Sequence, residues 1–241
     1  ERPPSLRPRG LLIAGPYHNG KTMIAERFAV EHLRRADRQR VWVIQTREGA
    51  GLSHFYASIL SGLRAPQAAG WRSLSRASEQ VDHLLDSLKP RLLIFDEFHS
   101  ALRGRRQDVK AIFSFLRRIA RVHDISPVLV GEIAVYDALH DTEEMGSRFD
   151  TVPVPRWGFD EDFATLLDSL EASMPLAHAS NLSRPPLGKM IHDLSDGLIG
   201  EVVDIVTRAA VAAVESGEER ITSSTAMALG YVPLSRRRNS A

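Results

Sequence analysis

The chain has 241 residues, 43% of them apolar and 25% charged, with a formal net charge of +1. That length accommodates one large domain, or one domain with a small appendage, around a sizeable core. No apolar run is long enough for a membrane span, the absence of cysteine excludes disulfides and thiolate metal sites, and the near-neutral charge carries no global signal for nucleic acid.

Several bulk features bear on context. A cysteine-free chain fits a reducing, cytoplasmic setting. It opens at Glu1 without an initiator Met, which reads as a trimmed or processed piece. The cations are mostly arginine, with only Lys21, Lys89, Lys110 and Lys189 as lysines. Arginine suits phosphate clamps and interface contacts, although genome composition produces the same bias.

Residues 1–10 are rich in Pro and Arg and read as an extended lead-in. Leu11 to Ala14 reads as a buried strand, and Met23 to Arg35 as a helix. Between them, Gly15, Pro16, Tyr17, His18, Asn19, Gly20, Lys21, Thr22 and Met23 carry the pattern G-x-x-x-x-G-K-[ST]. In a strand–loop–helix context this pattern makes a phosphate cradle. Glycines let the backbone curl so that N–H groups face phosphate oxygens, and the helix N-terminus adds its positive end. Lys21 would reach the β- and γ-phosphates of a nucleotide, and the Thr22 hydroxyl would hold Mg²⁺.

Val41 to Gln45 reads as a second strand. Phe55, Tyr56, Ile59, Leu60 and Leu63 recur at helical spacing, Pro66 to Gly70 is a breaker, and Val81, Leu84, Leu85 and Leu88 mark another amphipathic helix that Pro90 stops. Arg91 to Phe95 is a third strand running into Asp96 and Glu97. Apolar strand residues ending in two acids form a Walker B arrangement: Asp96 would hold Mg²⁺ and Glu97 would polarise the attacking water. His99 follows, and a lone histidine there reads more readily as structural.

Ile112, Phe115, Leu116 and Ile119 mark the next helix, Pro127 to Gly131 a fourth strand, and Thr151 to Pro155 a short fifth strand whose prolines suit an edge. Strands alternating with helices predict a parallel α/β sheet. Just before the fifth strand lies Gly146-Ser147-Arg148-Phe149. Arg148 is placed either to project into a neighbouring subunit's nucleotide or to make a surface salt bridge; spacing alone does not choose.

After Pro155 the pattern changes. Phe163/Leu166/Leu167/Leu170, Leu187/Met190/Ile191/Leu194 and Ile199/Val202/Val203/Val206 are all helical in period, with no strand between them. The expected organisation is a lead-in at 1–10, an α/β nucleotide-binding subdomain at 11–156, a helical lid at 157–221 and a looser tail at 222–241. Arg236, Arg237 and Arg238 read as frayed.

The set resembles an AAA+ ATPase: a P-loop NTPase with a parallel sheet flanked by helices and a small C-terminal all-helical lid. It is more closely similar to the TniB family of transposition regulators, related to TnsC-type transposon ATPases. The stretches that carry this are Leu12–Met23, Ile94–His99, Val152–Trp157 and Ser195–Glu201, with Asn181-Leu182. The resemblance extends from Arg9 to about Ile221. It implies ATP and Mg²⁺ binding, assembly with itself as a ring or helical filament on double-stranded DNA, recruitment of a transposase, and Arg148 as an arginine finger acting in trans. It implies no membrane partner and a bacterial cytosolic location.

Two positions depart from the pattern. Glu132 follows the fourth strand where a small polar sensor is usual, and Gly200 stands where many relatives carry a lid arginine. Both point to slow hydrolysis, as in a switch. A replication loader, a signalling ATPase and a non-hydrolysing scaffold remain alternatives. For DNA, Arg103, Arg105, Arg106 and Lys110 after Walker B form one cationic candidate, and Arg72 and Arg76 a second; a solvated helix face explains either equally simply. No base-reading motif is present, so contacts without sequence specificity are expected.

Overall fold

The computed structural model describes residues 8–36, 38–47, 49, 51–65, 73–141 and 143–237, without the side chains of 143 and 144. Arg72 and the breaker at 66–70 lie outside the described residues. The chain divides into two compact units. One comprises Glu1–Gly15 with Lys21–Val154, the other Pro16–Gly20 with Pro155–Ala241.

The first unit is built on five parallel strands: β1 (Gly10–Ala14), β2 (Val41–Gln45), β3 (Leu92–Asp96), β4 (Ser126–Gly131) and β5 (Phe149–Pro153). Their spatial order is β2-β3-β4-β1-β5. β3 and β4 are central and read as continuous apolar runs, because parallel strands are covered on both faces. β5 is an edge strand, which explains why Pro153 is tolerated there. Register aligns Ala14 with Gly131 and Gln45 with Asp96, so the carboxyl ends of these strands share one edge of the sheet.

Helices connect the strands: α1 (Lys21–Arg35), α2 (Leu52–Gly62), α3 (Leu74–Leu88), α4 (Arg106–Val122), α5 (Ile133–His140) and the short α6 (Glu143–Gly146). A 3-10 turn at Phe98–Arg103 precedes α4. Ser73 caps α3 by accepting from the Arg76 N–H, and Lys89 ends it in a left-handed conformation just before Pro90. The larger core is aromatic at its centre, with Phe55, Phe95, Phe98 and Phe115 buried against one another. A smaller core of Ala25, Val41, Ile94, Val128 and Val130 lies with α1.

The second unit is helical: α7 (Glu161–Ser173), α8 (Leu187–Ser195), α9 (Ile199–Glu215), α10 (Ser223–Ala228) and α11 (Leu234–Arg237). The Asp160 carboxylate accepts the Phe163 N–H, and Glu161 and Asp162 add negative charge to the first turn of α7. Phe163, Leu167, Ile191, Val202 and Ile205 close the core. The expected loose tail is instead structured to residue 237. Thr222 caps α10, Ala226 is buried, and Arg237 bonds Glu201. Ala226, Leu229 and Tyr231 pack on the helical core, but helices of only six and four residues give no sustained hydrophobic period to read.

Candidate nucleotide-binding site

The P-loop leaves the carboxyl end of β1. At Gly15 a Cβ would stand 2.3 Å from the Val154 carbonyl oxygen, so only glycine fits the chain as it leaves the sheet. The Gly15 N–H donates to the Gly131 carbonyl at 3.2 Å. His18 and Gly20 both take left-handed backbone, φ 57° and 80°. Such reversals turn amide groups toward one centre. Helix α1 then begins directly at Lys21.

Within the α/β unit, Lys21 is 6% exposed and shares the strand-end edge with three carboxylates. Burial pushes its ammonium below the ordinary lysine range, while Glu97, Glu132 and Asp96 oppose that shift. Asp96, at the end of β3, is buried. Its Oδ2 accepts from Gln45 Nε2 at 2.9 Å, and its Oδ1 from the Glu97 N–H at 2.9 Å. The two bonds lock its rotamer and leave lone pairs for a hydrated cation. Glu97 takes left-handed backbone, φ 54°, which costs a non-glycine residue on the order of 1 kcal/mol. Its side chain is 35% exposed, open enough to meet water.

The sequence reading of His99 as structural is incomplete. Its Nε2 stands 3.4 Å from Glu97 Oε2 and 3.8 Å from Glu132 Oε1. The acid at the sensor position therefore does not stand alone. The 3-10 turn after Asp96 folds His99 back toward β4, and no spacing rule in the sequence encodes that pairing. Buried Thr46, whose N–H donates to the Asp96 carbonyl at 3.0 Å, has a hydroxyl with no hydrogen-bond partner. A buried polar atom beside an acid fits a hydrated metal ion at this edge. Thr22 is half-buried, and Met23 is exposed.

In the helical unit the remaining P-loop residues have specific partners. Asn19 is buried and donates through Nδ2 to the Pro155 carbonyl at 2.6 Å. The Tyr17 and His18 rings stack with centroids 4.3 Å apart. The Gly200 N–H donates to the His18 carbonyl at 2.9 Å, and His18 Nδ1 stands 3.4 Å from Glu201 Oε1. Glu201, in the first turn of α9, also accepts from the Tyr231 hydroxyl and from Arg237 Nη2, each at 2.7 Å. His18 thus joins the loop to α9.

The stretches that carry the family resemblance also meet one another. The Trp157 N–H donates to the Gly197 carbonyl at 2.8 Å, and Arg156 Nη1 donates to the Asp196 carbonyl at 2.8 Å. A Cβ on Gly197 would stand 2.4 Å from the Trp157 carbonyl oxygen. Asn181 and Leu182 sit over the Glu171 carboxylate, which accepts the N–H groups of Ser180, Asn181 and Leu182 at 2.6, 2.9 and 2.7 Å. Glu171 escaped the sequence reading because a helix-surface glutamate has no distinguishing pattern.

Arg148 precedes β5, and its backbone carbonyl accepts the Gly10 N–H at 2.9 Å. It therefore lies at the end of the sheet opposite the P-loop edge. Arg103, Arg105, Arg106 and Lys110 are all exposed around the start of α4, and Arg76 is exposed in the first turn of α3. Clustered cations at a helix N-terminus oppose the helix dipole, so an anion there would relieve them.

This sheet order, with a P-loop at its carboxyl edge and a helical unit following, defines an AAA+ P-loop ATPase fold. Solved structures agree. Cdc6p from Pyrobaculum aerophilum matches with a TM-score of 0.68 at 17% identity, over 88% of this chain and 57% of that one. The Aeropyrum pernix ORC1 protein in complex with DNA matches at 0.73 and 14%, over 92% and 59%. The Thermotoga maritima RuvB Holliday junction branch migration motor matches at 0.56 and 16%, over 91% and 60%. The chain thus spans less than two thirds of each of these proteins. A search of curated proteins gave no match. The family model described as bacterial TniB protein matches residues 1–159. The chain belongs to the TniB family.

Proposed function

We propose that this protein is an ATP-dependent regulator of DNA transposition that binds ATP with Mg²⁺, hydrolyses it slowly, assembles with itself on duplex DNA and recruits a transposase. The observation that carries the nucleotide part is the buried Lys21 amid Asp96, Glu97 and Glu132 at the carboxyl edge of the sheet. A buried cation facing three carboxylates at a P-loop suits a triphosphate with its counter-ion. Membership of the TniB family supports the transposition part, and a fold neighbour solved in complex with DNA supports the DNA part.

In this reading the loop from Gly15 to Met23 cradles the phosphates with its N–H groups. Lys21 pairs with the β- and γ-phosphates. Thr22 and Asp96 would hold Mg²⁺, which would supply positive charge to the phosphates. Glu97 orients a water and takes its proton as the oxygen adds to the γ-phosphorus. The bond to the β–γ bridging oxygen breaks with its electrons, and ADP and inorganic phosphate leave. Arg148 acts on a neighbouring copy's γ-phosphate. Arg103, Arg105, Arg106, Lys110 and Arg76 meet the DNA backbone, each contributing modestly and adding up along an array.

A scaffold that binds ATP without turnover is the second reading, favoured by Glu132 beside the proposed base. The test is electron microscopy and light scattering with ATP, Mg²⁺ and duplex DNA, singly and together. Assembly only when all are present is expected. A monomer under every condition would sink the proposal.

A further inference from the structure

Glu201, in the first turn of α9, is a buried acid whose side chain is only 5% exposed. A buried carboxylate is costly unless charge and hydrogen bonds compensate it. Its Oε1 faces His18 Nδ1 at 3.4 Å, and its Oε2 accepts from the Tyr231 hydroxyl and from Arg237 Nη2, each at 2.7 Å. Of these partners, Arg237 is the one that carries a full positive charge at every working pH. The surroundings are otherwise balanced. Asp204 pairs with Arg208 at 2.9 Å, and both guanidinium groups lie over the Tyr231 ring. Two acids thus face two arginines around one phenol. Without Arg237 one negative charge is left over, and it sits on Glu201.

That carboxylate touches the P-loop. His18 stands in the middle of the loop and takes left-handed backbone, φ 57°, which a non-glycine residue keeps only where its surroundings hold it. Two of those holds come from the first turn of α9. The Gly200 N–H bonds the His18 carbonyl, and Glu201 meets the ring. A surplus charge on Glu201 would therefore stand against the loop whose amides gather for phosphate. Like charges repel, and burial strengthens that repulsion.

Arg237 is built to leave. Its side chain is 43% exposed, and α11, which carries it, buries none of its four residues. Tyr231 packs on the helical core and Pro233 is buried, so the chain is fixed to that point. Beyond it, the Ser235 N–H and hydroxyl donate to the Asp196 carboxylate at 2.8 and 3.0 Å, and Arg237 reaches Glu201. Asp196 caps the end of α8, and Glu201 lies in the start of α9. Both anchors of α11 fall on the one turn that meets His18.

We infer that the C-terminal segment is a removable cover on Glu201 that regulates the nucleotide site: with Arg237 seated the P-loop binds nucleotide tightly, and with Arg237 withdrawn the bared carboxylate weakens binding. The inference rests on the nucleotide reading above. Arg237 acts through Glu201 and is a positioning residue. Whatever draws α11 away loosens the nucleotide, and bound nucleotide keeps α11 in place, because coupling between two sites is reciprocal.

The test compares Arg237→Ala, Arg237→Lys and Arg237→Ala/Glu201→Gln for affinity toward a fluorescent ATP analogue, with melting temperatures as a check on folding. Arg237→Ala should bind roughly fivefold more weakly, or worse. Arg237→Lys should recover most of that, because the charge is kept. Adding Glu201→Gln to Arg237→Ala should also recover most of it, because the surplus charge is gone. In wild type, ATP should slow trypsin cleavage after Arg236 severalfold, read by mass spectrometry; in Lys21→Ala it should not. Unchanged affinity in Arg237→Ala would overturn the inference. So would a loss that Glu201→Gln leaves in place, or cleavage after Arg236 that ignores ATP in wild type. If wild type binds no ATP, the nucleotide reading falls and takes this one with it. If wild type and Arg237→Ala bind ATP equally well, this inference falls alone.

Discussion

The backbone N–H of Gly200 donates to the carbonyl of His18 at 2.9 Å, joining the first turn of α9 to the middle of the P-loop. A side chain at 200 has little room. A Cβ would sit 3.0 Å from both the His18 carbonyl oxygen and the His18 Cβ. Helix and loop thus approach closely enough to crowd any side chain at 200.

Gly200→Ala tests that approach. Helix propensity alone would make the change favourable by nearly 1 kcal/mol, whereas crowding against backbone costs about 1–3 kcal/mol. Crowding should win. Calorimetry should show a melting temperature lower by several degrees without nucleotide, and titration should show weaker ATP binding. A higher melting temperature with unchanged affinity would mean that the loop gives way freely.

Lys21 offers the opposite trade. Its ammonium is buried, and burial is the larger influence on it, outweighing the three nearby acids. The unfolded chain therefore holds the Lys21 proton more tightly than the folded one. Between the lowered value and the ordinary 10.5, folding stability rises with pH. At neutral pH the charge is a liability until phosphate arrives. Lys21→Met should raise the melting temperature of the nucleotide-free protein and abolish the further rise that ATP gives wild type. A less stable variant would mean that the acids, rather than burial, dominate at this site.

What the sequence made legible was local. Gly15 to Thr22 announces its conformation because glycines, a lysine and a hydroxyl must sit at fixed offsets. The apolar run into Asp96 announces a buried strand by composition alone. Pro153 suited β5 to an edge because a missing donor is most easily tolerated there. What stayed hidden was pairing over distance. His99 with Glu132, Gly200 against His18, Glu171 under residues 180–182 and Arg237 on Glu201 each join segments that share no period. The tail read as loose because its helices are too short to show a hydrophobic period.

His99 should matter through the acids it touches. Removing it takes from Glu97 and Glu132 a neighbour that both touch, leaving Lys21 to offset their charge. His99→Asn should weaken ATP binding severalfold, and adding Glu132→Gln should recover most of that loss. Glu97→Gln should keep binding and cut phosphate release about a hundredfold or more, as expected for loss of a general base. A double-mutant cycle on ATP affinity reads the coupling directly. Strict additivity of His99→Asn and Glu132→Gln would show that the two do not communicate.

Tyr231 gives the helical unit a pH signature. Burial, and then the hydrogen bond to Glu201, raise its phenol from the ordinary 10 to about 12. The folded state keeps the proton to higher pH than the unfolded state does. The stabilisation is therefore complete below pH 10 and is lost as pH rises through about 12. Tyr231→Phe keeps the ring over which Arg237 and Arg208 lie, at 5.1 and 5.7 Å, and removes only the hydroxyl. At pH 8 the variant should be less stable by about 1 kcal/mol, the low end for a hydrogen bond to a charged group at a partly exposed site. Denaturant titrations from pH 8 to 11.5 should show that gap narrowing once pH passes 10. A gap that stays constant would mean that the Glu201 bond does not favour the protonated phenol.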